Sequence, residues 1–470
     1  MLSNSTLCQK INIAILWLFL LTGCGSSEPK LPDSDSFNLR DFKGNWHSLE
    51  YGYFLSINDH GMVMFDIINN LCIKKPISSQ EIASELTHYK KLNETTMEVS
   101  PIKGARRYTF QRLSDDAIDK CKKVLDKSPI ATFETFANLM KKHYAFFDLY
   151  HVNWDVVVQQ HRTNISQETS DASLYNTLSS MLVDINDAHL NLQAELKGTT
   201  EIYRNGNSPY LRPALDKAFQ NQTQFDNAKE FRANWYQTYK NNIKTQLLPQ
   251  QDNNDFDELI IWGNIGDIGY INILRMIGFS ETGATKDEVE QAKLAMDHVM
   301  SQLKNSSAII VDVTANGGGE DEVSRMFASY FTEQPVLAYK KQIYNSDLPQ
   351  QPFYIKPAKK HQFLGPTFLV TSDHTVSAAE IFTLAMRSMK NVIHIGETTR
   401  GALSDILDKD LPNGWRLGLS NEIYFDATGK SWESKGIPPQ KQIDIFRDKN
   451  INNSHIESMK LITNFVENAK

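Results

Sequence analysis

Cysteine is scarce in this sequence, four in 470 residues. No paired Cys-x-x-Cys and no His-Glu-x-x-His segment occurs, so the usual metal-ligand spacings are missing and no cofactor is called for. Positive charge is not concentrated either. The net charge is −7 and no basic cluster exceeds a few residues, which argues against nucleic acid as a partner. The apolar run Ile11 to Leu21 is too short for a stable transmembrane helix. Internal repeats and long low-complexity tracts are absent. What remains is ordinary for a soluble globular protein, 41% hydrophobic and 22% charged, in a chain long enough for two or three domains.

The N-terminus carries the first positive signal. Lys10, the apolar run and then Leu21-Thr22-Gly23-Cys24 look like a bacterial lipoprotein signal. That pattern implies removal of residues 1–23 and lipid attachment at Cys24. Gly25 in place of Asp implies no inner-membrane retention, hence an outer-membrane anchor facing the periplasm. Residues 24–36, rich in Ser, Pro and Asp, read as a tether. In an oxidising compartment Cys72 and Cys121 could pair, closing a loop of about 50 residues worth roughly 4 kcal/mol; two free buried thiols are the alternative.

Residues 37–125 read as a small β domain. The runs 53–57 and 62–67 flank Asn58-Asp59-His60-Gly61, a hairpin signal, and 96–99 and 107–110 extend a meander. Residues 126–260 read as a helical region, with 197–256 polar and helix-prone. Residues 261–470 read as an α/β core, because apolar strands at 308–313, 367–371 and 391–395 alternate with helices. One helix is expected to open on a capping box, Thr285-Lys286-Asp287-Glu288.

Four short segments carry chemistry. Ser377 follows the strand 367–371 and opens a helix. Its hydroxyl is thus placed at the positive end of a helix dipole beside free N–H groups, which suits a nucleophile but also an ordinary N-cap. Asn316-Gly317-Gly318-Gly319 ends the strand 308–313, leaving backbone N–H groups bare. Asp187-Ala188-His189 places a histidine at the end of a helical run, and Glu433 precedes Gly436-Ile437-Pro438-Pro439. His374 reads as a turn-exposed histidine.

In this order, with Ser377-Ala378-Ala379-Glu380 and Gly396-Glu397-Thr398-Thr399-Arg400-Gly401, these segments resemble the S41 family of serine peptidases, the C-terminal-processing and tricorn-core type. The likeness runs from about Thr132 to Ile445. It implies a ClpP/crotonase-like β/α core and acyl transfer to a protein or peptide substrate. Ala402 stands where the C-terminal-processing branch has its lysine base, so the tricorn-like branch with a histidine base fits better. The resemblance then makes Ser377 the nucleophile, His189 the base, Glu433 or Asp187 its orienter, and the N–H groups of Gly318 and Ala378 the oxyanion hole. No glycine-led carboxylate-binding loop marks a PDZ domain. The rival expectation is a catalytically inactive ligand- or peptide-binding lipoprotein on the same scaffold, since retinoid-binding relatives use it that way. The lipoprotein reading predicts that Cys24→Ala moves the protein from the membrane pellet to the soluble fraction and abolishes incorporation of labelled palmitate.

Overall fold

The runs Ile268–Ile273, Ala308–Asp312 and Thr367–Thr371 offer almost no polar face to water, and the protein buries them side by side. The structure is a computed structural model describing residues 39–469 apart from 70, 207, 250–255 and 448–449. Residues 1–36 of the expected signal and tether, including Cys24, lie outside the described residues.

The central sheet has the order Ile260–Ile265, Ile268–Ile273, Ala308–Asp312, Thr367–Thr371, Val392–Gly396, Lys441–Gln442. Its first pair is antiparallel and every other pair parallel. Both faces are covered, as a mostly parallel sheet of apolar strands requires. Helices Thr285–Leu303, Asp321–Ala328 and Ala378–Arg387 pack one side. Helices Leu211–Gln220, Ala228–Asn242 and Ser454–Ala469 pack the other. This is the two-sided α/β core expected from the strand and helix alternation.

A second body joins helices Pro129–His143, Trp154–Arg162 and Asp171–Ser180 to a four-stranded sheet ordered Ile406–Asp410, Arg416–Ser420, Asn191–Leu196, Thr199–Arg204. The helix-prone reading of residues 197–256 missed the last strand. Lys197 and Gly198 both take positive φ, 51° and 81°, the pair of angles a two-residue hairpin needs. The expected capping box is also not formed. Ala284 is the N-cap, and Glu288 instead accepts the N–H groups of Gly278 and Phe279, both at 2.9 Å, tying a loop to the helix flank.

The N-terminal sheet is antiparallel and seven-stranded, in the order Leu71–Lys74, Gly61–Ile68, Tyr53–Asn58, Gly44–Ser48, Tyr108–Leu113, Thr96–Ser100, His88–Lys91. Cys72 and Cys121 are joined by a disulfide that fastens the edge strand to the 3-10 segment Asp115–Lys122. The sheet is docked by charge. Lys409 Nζ donates to Asp66 Oδ1 at 2.7 Å with both side chains fully buried, Lys75 reaches Asp66 Oδ2 at 3.1 Å, and the Asp410 N–H donates to the same oxygen at 3.0 Å.

Burial alone would raise the Asp66 pKa, but the Lys409 and Lys75 charges hold it below the ordinary carboxylate value. Its stabilising share is therefore complete above the unfolded carboxylate pKa and fades as pH falls through the lower folded value. Asp66→Asn strands a buried lysine charge, so urea unfolding is expected to show a loss of about 3–5 kcal/mol.

Candidate active site

Past the strand Thr367–Thr371 the chain turns through residues 372–376 and is stitched to the neighbouring strand end. Ser372 Oγ donates to the Thr314 carbonyl at 2.6 Å and Thr375 Oγ1 to that of Val313 at 2.8 Å. Ser377 follows with φ 61° and ψ −129°, a conformation costly for any residue but glycine, on the order of 1–3 kcal/mol. It is held there because its N–H donates to the Ala402 carbonyl at 3.1 Å and to Glu380 Oε2 at 3.2 Å. The helix Ala378–Arg387 begins at the next residue, so the Ala378 N–H is the first of the helix and has no acceptor within it.

The glycine turn lies directly against this corner. Gly318 has φ 86°, and a Cβ there would stand 2.7 Å from Ser377 Cβ and 2.9 Å from the Val376 carbonyl. Inside the turn Asp312 Oδ1 accepts the Thr314 N–H and Asn316 Oδ1 accepts the Gly318 N–H, each at 2.8 Å. The Gly318 donor is thus occupied by the loop's own side chain. Asn316 in turn donates to the Ile273 carbonyl at 3.0 Å.

His189 sits in the loop between the helix Asp171–Ser180 and the strand Asn191–Leu196, not at a helix end. Asp187 Oδ1 accepts the backbone N–H of His189 at 2.8 Å and its Oδ2 accepts the Tyr144 hydroxyl at 3.0 Å, so Asp187 fixes the main chain rather than the ring. The imidazole is buried, and its Nδ1 meets no hydrogen-bond partner among the described residues. Burial holds its pKa below the usual histidine value, against Asp187, Asp405 and the Ser404 backbone, which act the other way.

Glu433 Oε2 accepts the N–H groups of Leu403 and Ser404 at 3.0 and 3.1 Å, while its Oε1 is buried without a partner. Burial, followed by the charges of Asp187 and Glu380, raises its pKa well above the carboxylate range. Ser377, His189 and Glu433 are therefore gathered around one segment, residues 402–405. The Ser377 corner leans on Ala402, Glu433 grips Leu403 and Ser404, and His189 lies beside Ser404 and Asp405. His374, expected to be exposed, is partly buried, and burial lowers its pKa.

Several neighbours of Ser377 had no local signal in the sequence. A cavity of about 90 Å³ beside it is lined by Arg106, Glu320, Lys341 and Asp405 among others. Arg106 comes from the N-terminal sheet's loops and pairs with Asp405. Lys341 Nζ donates to Glu422 Oε2 at 2.8 Å and to the Tyr424 hydroxyl at 2.9 Å. Burial and then the charges of Glu322 and Asp405 push Glu320 up to about 8. Among the described residues no group of His, Cys, Asp or Glu is arranged to hold a metal ion.

A half-buried serine corner after a central parallel strand, packed on a glycine turn from the adjacent strand, is the feature around which this α/β core is arranged. The profile of peptidase family S41 matches residues 267–443, the α/β core that carries Ser377, the glycine turn and Glu433. The chain is 28% identical over 182 residues to the carboxy-terminal processing protease CtpA of Bacillus subtilis, covering 39% of this chain and 35% of that protein. It is 27% identical over 153 residues to the tail-specific protease of Haemophilus influenzae, covering 30% of this chain and 21% of that protein. The matches thus span well under half the length of either relative. A solved structure of a candidate peptidase from Parabacteroides merdae superposes with a TM-score of 0.56 at 22% identity, covering 72% of this chain and 97% of that one, which establishes the fold.

Gly318→Ala is expected to shift the Ser377 corner, lowering Tm by several degrees and cutting reaction with a serine-directed probe by about 100-fold. Glu380→Gln replaces an acceptor of three backbone N–H groups with a side chain that can accept through one atom only. Its expected cost in chemical denaturation is about 1–3 kcal/mol.

Proposed function

We propose that the protein is a serine-type endopeptidase that cuts polypeptides of the cell envelope through an acyl-enzyme, carried to the membrane by lipid on Cys24. The observation that supports it most is the strained Ser377 pressed against the glycine turn, because strain of this kind is retained where surrounding structure holds it for use. The S41 profile match over the core and the similarity to two proteases point the same way.

Ser377 Oγ attacks the scissile carbonyl carbon while His189 takes its proton. The C–N bond then breaks and His189 returns the proton to the leaving amine. Water, deprotonated by His189, attacks the acyl carbon; the ester C–O bond to Ser377 breaks, His189 returns the proton to Ser377 Oγ, and the second product leaves. The oxyanion meets the Ala378 N–H, and the Gly318 N–H joins when Asn316 Oδ1 releases it. Glu433 and Asp187 act as positioning residues. Glu433 holds the segment beside the imidazole, and Asp187 holds the backbone of His189.

Labelling of the purified protein with a fluorophosphonate is the test. The wild type is expected to label, and Ser377→Ala and His189→Ala to fall by at least about 1000-fold. Because the His189 pKa is lowered, the base stays neutral below the usual histidine range. The labelling rate should therefore hold steady from neutral pH to below about 6.5 before it drops. A folded wild type that never labels would overturn the reading and leave the inactive binding protein.

A further inference from the structure

A second cavity, of about 590 Å³, adjoins the segments that carry Ser377 and His189, and Arg106 is not among its lining residues. Two of its lining residues, Val376 and Ala188, immediately precede Ser377 and His189. Its outer wall is the helix pair Leu211–Gln220 and Ala228–Asn242, which contributes the apolar Leu211, Leu215 and Trp235. Five cationic side chains line it, Arg212, Lys229, Arg232, Arg275 and Arg400, and no carboxylate does.

Asp216 accounts for part of that charge, accepting from Arg212 Nε and Arg232 Nη1 at 3.2 Å each. Lys229, Arg275 and Arg400 have no ion-pair partner among the described residues. Arg400 donates to Asn186 Oδ1 at 3.3 Å, and Arg275 Nη1 lies 3.6 Å from where a Gly317 Cβ would stand, beside the oxyanion turn. At His374 burial lowers the pKa, the Asp373 carboxylate acts the other way, and the charges of Arg275, Arg212 and Arg400 add to the lowering. In a chain of net charge −7, three unpaired cations around one apolar-floored cavity are a local reversal of sign.

We propose that this cavity binds an acidic segment of the substrate, two or more Asp or Glu side chains flanking an apolar residue next to the scissile bond. The inference rests on the peptidase reading and names its substrate class. One carboxylate would satisfy only one or two of these cations. The volume and the spread of charge across two helices and the catalytic loops fit several carboxylates, and the apolar floor fits the residue between them. The chain terminus of a peptide supplies a single carboxylate and leaves most of the site unmatched.

The experiment measures fluorescence anisotropy of labelled peptides on the full-length Ser377→Ala protein, so that no turnover is needed. An acidic peptide of the sequence type Glu-Leu-Glu beside Ala-Ala is compared with its Gln-Leu-Gln counterpart and with its C-terminal amide. The glutamine exchange is expected to weaken binding by at least tenfold and amidation by less than twofold. Lys229→Glu and, separately, Arg275→Gln should each erase most of the glutamate preference. Lys229 is exposed, so its variant tests the site even if Arg275→Gln fails to fold. Equal binding of the glutamate and glutamine peptides overturns the proposal, as does a preference that survives Lys229→Glu. A larger effect of amidation than of the glutamine exchange overturns it in favour of the chain terminus. Glutamate-dependent binding in a protein whose wild type never labels would sink the peptidase reading and leave this site standing.

Discussion

One buried carboxylate holds the candidate site in shape. Glu380 Oε1 accepts the Thr399 hydroxyl at 2.6 Å and the Gly401 N–H at 2.7 Å, while Oε2 accepts the Ala402 N–H at 2.8 Å and that of Ser377 at 3.2 Å. Burial outweighs these bonds and raises its pKa, so the group is expensive to place and is placed where four donors converge. It stands in the first turn of the helix Ala378–Arg387 and reaches back to the corner from which that helix starts. The strained angles of Ser377, the course of residues 399–402 and the approach of the glycine turn all follow from that convergence.

From Glu380 the order extends along residues 399–405. Gly401 and Gly436 come so close that a Cβ at Gly401 would stand 2.6 Å from the Gly436 nitrogen, which locks the loop to the segment carrying Glu433. Glu433 then takes the next two N–H groups, and Arg106 of the N-terminal sheet pairs with Asp405. His189, Ser377 and the basic cavity are arranged around this segment without sharing a secondary-structure element. Charge on its two sides differs. Carboxylates and lysine crowd the small cavity by Arg106, and unpaired cations crowd the larger one by Arg275.

The parts legible in the sequence were those encoded locally. Buried strands announced themselves as continuous apolar runs, the hairpin around Asn58–Gly61 by its turn residues, and the serine corner by a strand giving way to an amphipathic helix. Contacts between distant residues left no such trace. Thr285 and Glu288 had capping-box spacing, yet Glu288 found three loop N–H groups, including Ser280 at 3.4 Å, and the cap was not made. Glu433 carried a motif position, but its two acceptors' worth of work on Leu403 and Ser404 is set by a loop 29 and 30 residues away. Arg106, Lys341 and Asp405 reach Ser377 from three separate parts of the chain, and only the folded molecule brings them together.

The docking of Lys409 on Asp66 has a kinetic side. The two residues are 343 positions apart, and contacts of such separation form late because the intervening chain must first be brought to order. Residues 402–410 are held from one side by that sheet and from the other by Glu433, so their final course waits for both ends of the chain to arrive. Until then Ser377 lacks the Ala402 carbonyl that fixes its angles. The corner around Ser377 is thus complete only once segments from both ends of the chain have docked on residues 402–410.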